Sequence, residues 1–182
     1  LQPTDFAGAA VLTPDNIMSG SVPDAGGVLI YDDDHYYMAS GMAEKLASAG
    51  HAVTYATPLP TVASWTNLTL EQDRIIEMLN ALGVRIEVNA AFSSGGVLTS
   101  TLTGASVPSA YETIVMVGAR EPVDDLYRAA VATSGLPPVV RAGDCNVPGI
   151  IQAAVLSGHM CARGLLDPTQ DDRKFAREFV QL

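Results

Sequence analysis

The stretch Gly26-Gly27-Val28-Leu29-Ile30-Tyr31-Asp32-Asp33-Asp34-His35-Tyr36-Tyr37-Met38-Ala39-Ser40-Gly41 leaves this chain few folds to choose from. It reads as a short apolar strand, a turn crowded with carboxylates, and the start of a helix. Met38, Met42, Leu46 and Ala49 recur at helical spacing, so the helix lays one face on a sheet. Gly50 stops it, and Ala52-Val53-Thr54-Tyr55-Ala56 reads as a second strand. Two strands joined by a helix form a βαβ unit, which requires parallel pairing and a crossover. Where such a unit holds a phosphate, its first turn is built of glycines, so that backbone N–H groups and the helix N-terminus can meet the anion. Here three aspartates and a histidine stand in the turn.

The rest of the chain continues the alternation. Residues 1–27 read as an arm and linker. Within them Leu12 to Gly20 carries a short helix signal, with Thr13 as N-cap, Pro14 at the first helical position and Asp15 near the positive dipole end. Thr57 to Thr66 is a loop containing Pro58 and Pro60. Thr69-Leu70-Glu71-Gln72 fits a capping box, and Leu70, Ile75, Ile76, Leu79 and Leu82 carry a helix to Gly83. Val84 to Val88 is a third strand. Gly95-Gly96 between two β-rich runs predicts a hairpin. Tyr111 to Gly118 is a buried strand, Val123 to Thr133 a helix, and Val139 to Ala142 a last short strand. A long helix runs from Pro148 to near Arg163, and a polar helix covers about Asp171 to Val180. The order β-α-β-α-β, hairpin, β-α-β-α predicts a three-layer α/β fold. Its sheet is mostly parallel, with helices on both faces, an added β-hairpin and a C-terminal helical segment.

Composition narrows the function. A length of 182 residues suits one α/β domain, or a domain with an arm. The net charge of -10, with only ten Lys and Arg and no basic cluster, argues against nucleic-acid surfaces and acidic membranes. No apolar run approaches the roughly 20 residues of a spanning helix, and no signal peptide or lipidation motif is seen. Cys145 and Cys161 match no zinc spacing and are expected as reduced thiols in a cytoplasmic protein. The first residue is Leu, not Met, so the chain is expected to be a piece of something longer.

The acidic turn admits four readings. It resembles the opening of response-regulator receiver domains, where acids at the end of the first strand hold magnesium. That family also needs a phosphoacceptor Asp after the third strand, which here ends Ile86-Glu87-Val88-Asn89, and a late Lys. The lysines here are Lys45 and Lys174. A free metal site of Asp32, Asp33, Asp34 and His35 would suit a hard cation. Against it, adjacent residues of one turn point apart, so one carboxylate capping the helix and the others solvated is the plainer account. A working dinucleotide site would set pyrophosphate against three negative charges. It also finds no ribose-binding acid in Tyr55-Ala56-Thr57-Pro58. The fourth reading is an inherited dinucleotide fold whose phosphate loop, Asp32, Asp33, Asp34, His35 and Tyr36, has closed. On it, at least one aspartate caps the helix, and His35, Tyr36 and Tyr37 fill the space a pyrophosphate would take.

A resemblance supports that last reading. Val28 to Ala39, with Ala43-Glu44-Lys45-Leu46-Ala47 and Ala49-Gly50-His51, is similar to the C-terminal, NAD-type region of the trimethylamine dehydrogenase group. That group of NADH:flavin oxidoreductases includes the dimethylamine and histamine dehydrogenases, with 2,4-dienoyl-CoA reductases more distant. Its Asp-x-Tyr-x-Met pattern corresponds to Asp34-His35-Tyr36-Tyr37-Met38, with one spacing left for the structure to settle. Trp65-Thr66 and Thr69 to Gln72 also resemble the group's following helix. Ile114 to Pro122 resembles the strand and Gly-Arg-x-Pro turn where such chains leave the NAD-type domain. Arg141-Ala142-Gly143-Asp144-Cys145, with Pro148-Gly149, resembles the segment returning to the FAD-type domain.

The resemblance implies three segments: 1–27 as arm, 28–138 as a Rossmann-like domain with a degenerate phosphate loop, and 139–182 as the return segment of an FAD- or ADP-type domain. It implies that Gly143 and Asp144 meet a bound flavin or ADP in the full-length protein. Asp144 reads equally well as a helix-capping residue. For the parent it implies FMN, a 4Fe-4S cluster and ADP or FAD, a (β/α)8 barrel, a partner electron-transfer protein, and oxidation of an amine. This chain lacks the barrel, a four-cysteine motif and any Gly-x-Gly-x-x-Gly. No catalytic or metal-ligating residue is therefore expected in it. His51 and His159 lack a nucleophile and carboxylate beside them in sequence. The expected role is structural or accessory, without its own cofactor. The competing expectation is a stand-alone Rossmann-type module for a small ligand or regulation.

Overall fold

The computed structural model describes residue 6 and residues 8–21, 23, 26–108, 111–118 and 120–166. The expected helix at 171–180 lies outside these. The chain divides into two compact units, 1–119 and 120–182.

The first unit is built on β1 (Ala10–Leu12), β2 (Gly27–Asp32), β3 (Ala52–Ala56), β4 (Arg85–Glu87) and β7 (Thr113–Val117), with order β1-β7-β2-β3-β4. Every pairing is parallel. β5 (Ala90–Phe92) and β6 (Leu98–Ser100) form the antiparallel hairpin expected around Gly95-Gly96. The three-layer α/β fold with a mostly parallel sheet is what the alternation of elements called for. Two details differ. The stretch expected as an arm supplies edge strand β1, paired with β7. The described helices of this unit pack on one face only, and the hairpin covers the other.

Strand alternation explains the layering. Side chains i and i+2 share a face. Val28 and Ile30 join Val53, Tyr55, Val115 and Val117 under α1 (Pro14–Met18), α2 (Tyr37–Ser48) and α3 (Gln72–Ala81). Leu29, Tyr31 and Ile114 face the hairpin's Ala90 and Leu98. Burial on both faces is why β2 reads as a continuous apolar run rather than an alternating one.

The helix stops fell where the glycines promised. Gly50, at φ +93°, donates to the Ala47 carbonyl, and His51 donates to Leu46, closing α2 with a paired C-terminal motif. Thr13 caps α1 through a reciprocal box with Asn16. The box expected at Thr69 to Gln72 does not form: Glu71 is the N-cap of α3 and makes no side-chain cap bond. Ser64–Thr69 is instead a 3-10 helix that ends at Leu70 in a left-handed conformation, so α3 cannot start there.

The second unit holds α4 (Asp125–Ala132), a 3-10 turn at Gly143–Cys145 and α5 (Ile151–Leu166). The expected strand Val139 to Ala142 is absent. A strand needs a ladder partner, and none forms there among the described residues. The segment runs beside α5 instead: Cys161 Sγ donates to the Arg141 carbonyl at 3.2 Å, and Gly143 N–H to Ser157 Oγ at 3.0 Å.

Candidate functional site

In an open parallel sheet the crevice lies beyond the carboxyl ends of the strands, where neighbouring connections diverge. Here that point is the end of β2, which sits between β7 and β3. Asp32 is its last residue.

Asp32 shares a face with Val28 and Ile30, so its carboxylate points inward and is fully buried. Both oxygens are engaged. Oδ1 accepts the backbone N–H groups of Asp34, at 3.2 Å, and His35, at 2.8 Å. Oδ2 accepts the Tyr55 phenol. Tyr55 pairs with Ile30 across β3 and β2, which brings its hydroxyl to the strand exit. That hydroxyl also accepts the Ala63 N–H at 3.3 Å. Burial pushes the Asp32 carboxyl above its ordinary value, against the lowering effect of the Tyr55 and His35 hydrogen bonds. Burial likewise drives the Tyr55 phenol far up, and the nearby Asp32 charge adds to it. At neutral pH Tyr55 is therefore a donor, which matches its role.

The other residues of the turn spread outward. Asp33 is exposed, and its N–H continues the sheet by donating to the Val117 carbonyl at 2.7 Å. His35 takes a left-handed conformation, at φ +64°. Its ring sits 3.5 Å from Thr57 Oγ1, 4.0 Å from Asp32 and 3.8 Å from Asp33. Its carbonyl accepts the Trp65 N–H at 2.9 Å. The Tyr36 and Tyr37 rings meet edge to face at 4.2 Å. The Tyr37 phenol donates to Glu71 and bonds Thr69 at 2.7 Å. The Tyr37 bond, then Thr69, lower the Glu71 carboxyl, and the Glu71 bond raises the Tyr37 phenol against the lowering effect of Thr69.

One expectation about this turn is corrected. No aspartate caps α2. Its N-cap is Tyr36, without a side-chain bond. Asp32 caps the turn instead, its Oδ1 accepting the two successive N–H groups of Asp34 and His35. Sequence reasoning missed Tyr55, Thr57, Ala63 and the 3-10 segment. A signal existed for Tyr55: a phenol on the buried face of a strand needs a polar partner, and Asp32 is the acid on that face of the adjacent strand.

In the second unit, Asp144 Oδ1 accepts the Gly149 N–H at 3.2 Å, just ahead of α5. Gly143 holds φ +67°, a conformation that suits glycine. Asp144 and Cys145 line an open pocket of about 220 Å³ with Arg120, Glu121, Val123 and Pro148. Nearby, Asp124 accepts Arg128 at 2.7 Å and Arg141 at 2.5 Å, and Arg141 lies 4.5 Å over the Tyr127 ring. Arg128, then Arg141, hold the Asp124 carboxyl below its ordinary value. Cys145 and Cys161 are free thiols. Among the described residues no three His, Cys, Asp or Glu side chains gather where they could hold a metal, and no helix is long and apolar enough to cross a membrane.

Comparison with known proteins places this geometry in context. Residues 12–98 match the family described as the OYE-like second alpha/beta domain. Dimethylamine dehydrogenase of Hyphomicrobium sp. (strain x) is 28% identical over 197 aligned positions, covering 92% of this chain and 27% of that protein. Histamine dehydrogenase from Rhizobium sp. 4-9 is 34% identical with a TM-score of 0.80, over 97% of this chain and 29% of that one. The 6-hydroxypseudooxynicotine amine oxidase of Pseudomonas geniculata N1 is 36% identical with a TM-score of 0.78, over 82% and 24%. The chain thus spans about a quarter of the length of these relatives. These similarities support placement in the trimethylamine dehydrogenase-like group and a relation to its oxidoreductases.

Proposed function

We propose that this chain is the accessory α/β region of a flavin-dependent, iron–sulfur oxidoreductase acting on an amine, and that it binds no nucleotide at its acidic turn. The observation that carries the reading is the likeness to histamine dehydrogenase. It runs over 97% of this chain but only 29% of that protein. A chemistry that needs a barrel, a flavin and a cluster then resides in the remainder of the parent, and electrons leave it for an external carrier. The working compartment in this reading is the cytoplasm.

Electrostatics supports the second half of the proposal. A dinucleotide's phosphates would seek the successive N–H groups of Asp34 and His35, which already hold the Asp32 carboxylate. Each added like-charge pair at 4 Å costs about 4 kcal/mol at an effective dielectric near 20. Asp33 and Asp34 would add to that repulsion, with no cation on the turn to offset it except a protonated His35.

For the second unit the reading assigns 139–182 as the return segment of an FAD- or ADP-type domain and 28–138 as the Rossmann-like domain. The compact units divide earlier, at 119. Gly143 and Asp144 then meet the ribityl or pyrophosphate part of a flavin, or the ADP in its place, bound there. The residues present fit such a contact, since Asp144 lines an open pocket beside Arg120.

The encoding reading frame tests the proposal. It is expected to begin several hundred residues upstream and to include a barrel followed by a four-cysteine motif. A frame that starts near Leu1 would overturn it and favour a stand-alone small-ligand module.

A further inference from the structure

We propose that Asp32 and Tyr55 form a latch that seats residues 62–70 as a strap at the carboxyl edge of the sheet. Three observations meet here. First, the segment is fastened at separate points to different elements. Ala63 N–H bonds the Tyr55 hydroxyl on β3, Trp65 N–H bonds the His35 carbonyl after β2, and Thr69 bonds the Tyr37 phenol on α2. Second, the 3-10 helix is bracketed by two non-glycine residues in left-handed conformations, Ala63 at φ +46° and Leu70 at φ +61°. His35, which the strap contacts, is a third at φ +64°. Such conformations cost free energy and persist only where neighbouring contacts impose them. Third, the root of the segment is buried and its tip is not. Val62, Ala63 and Thr66 are at most 2% exposed, whereas Leu68 and Leu70 are 74% and 90% exposed.

The latch lies at the root. The Tyr55 hydroxyl is the single atom that joins the strand-exit carboxylate to the strap's backbone, donating to Asp32 and accepting from Ala63. It holds Ala63 against its conformational preference. The clasp at the tip, Tyr37 with Thr69 and Glu71, is solvent-exposed and weaker. The root of the strap is then held by these two side chains, beside the Gln72 Nε2 bond to the Val62 carbonyl at 2.9 Å. Tyr55 and Asp32 act as positioning residues, and the inference stands whether or not a nucleotide binds the chain.

Amide hydrogen exchange on the full chain tests this. Tyr55→Phe keeps the ring and removes the hydroxyl. It is expected to speed exchange at residues 62–66 by about tenfold, with β2, β7 and α3 unchanged. Tyr37→Phe is expected to speed only residues 69–71. Wild-type rates at 62–66 in Tyr55→Phe, or an equal acceleration across the sheet, would overturn the proposal. Should that variant fail to fold, Asp32→Asn retains the turn's acceptor oxygen while weakening the latch. It is expected to accelerate the same residues selectively, and unchanged or uniform exchange there would equally overturn it.

Discussion

The two units of this chain bury their apolar residues very differently. In the first, β2, β3 and β7 are covered on both faces, and Leu29, Ile30, Tyr55 and Ile114 have no exposed surface. In the second, Asp124 is the one buried residue among those described. Val123, Leu126 and Ile151 there are 82%, 85% and 84% exposed. Yet α5 is more apolar in sequence than α2 or α3 of the first unit. Burial of apolar area drives folding at about 25 cal/mol per Å², so the first unit draws far more stability from its core than the second does among the described residues.

The largest expected effect is in local stability. Amides of β2, β3 and β7 should exchange about a thousandfold more slowly than those of α4 and α5. Equal protection in both units would remove the contrast. Core truncation comes next. Leu29→Ala or Ile114→Ala should cost about 2–5 kcal/mol in chemical denaturation, whereas Ile151→Ala should stay within about 0.5 kcal/mol. A costly Ile151→Ala would mean that α5 has a core the described contacts do not reveal.

The two units should also respond oppositely to acid. Asp32 is raised in the folded state from the ordinary 3.8, chiefly by burial, so folding favours its protonated form. Its stabilising contribution is present below that value and is lost as pH rises through the raised folded value. Asp124 is lowered from 3.8, chiefly by the Arg128 hydrogen bond, so its contribution is present above that value and is lost as pH falls through the lowered one. Stability measured against pH should therefore flatten on the upper side of 3.8 in Asp32→Asn and on the lower side in Asp124→Asn. The same slope change in both variants would contradict this assignment. The smallest effect is local: Thr13→Ala should cost about 1 kcal/mol through loss of the α1 cap.

Much of the first unit could be read from its sequence because its signals are local. The Gly50 and Gly83 stops, the Thr13 cap and the Gly95-Gly96 hairpin each depend on neighbours a few residues away. What escaped depends on distant partners. Ala10–Leu12 is too short to declare itself a strand without β7 beside it. Val139 to Ala142 has strand composition but no ladder in the described residues. The acidic turn was found as a feature, but its organisation was not. Asp32 turns inward to Tyr55, a residue 23 positions later that only the β2–β3 register brings near.

On the reading proposed above, the acidic turn is closed to a dinucleotide by the chain's own Asp32 carboxylate, which already holds the Asp34 and His35 N–H groups. Calorimetric titration of the chain with NADH tests it most directly. The account predicts no saturable heat up to about 1 mM ligand. Saturable binding with a Kd near or below about 10 μM, lost on mutation within Asp32 to Ser40, would contradict it.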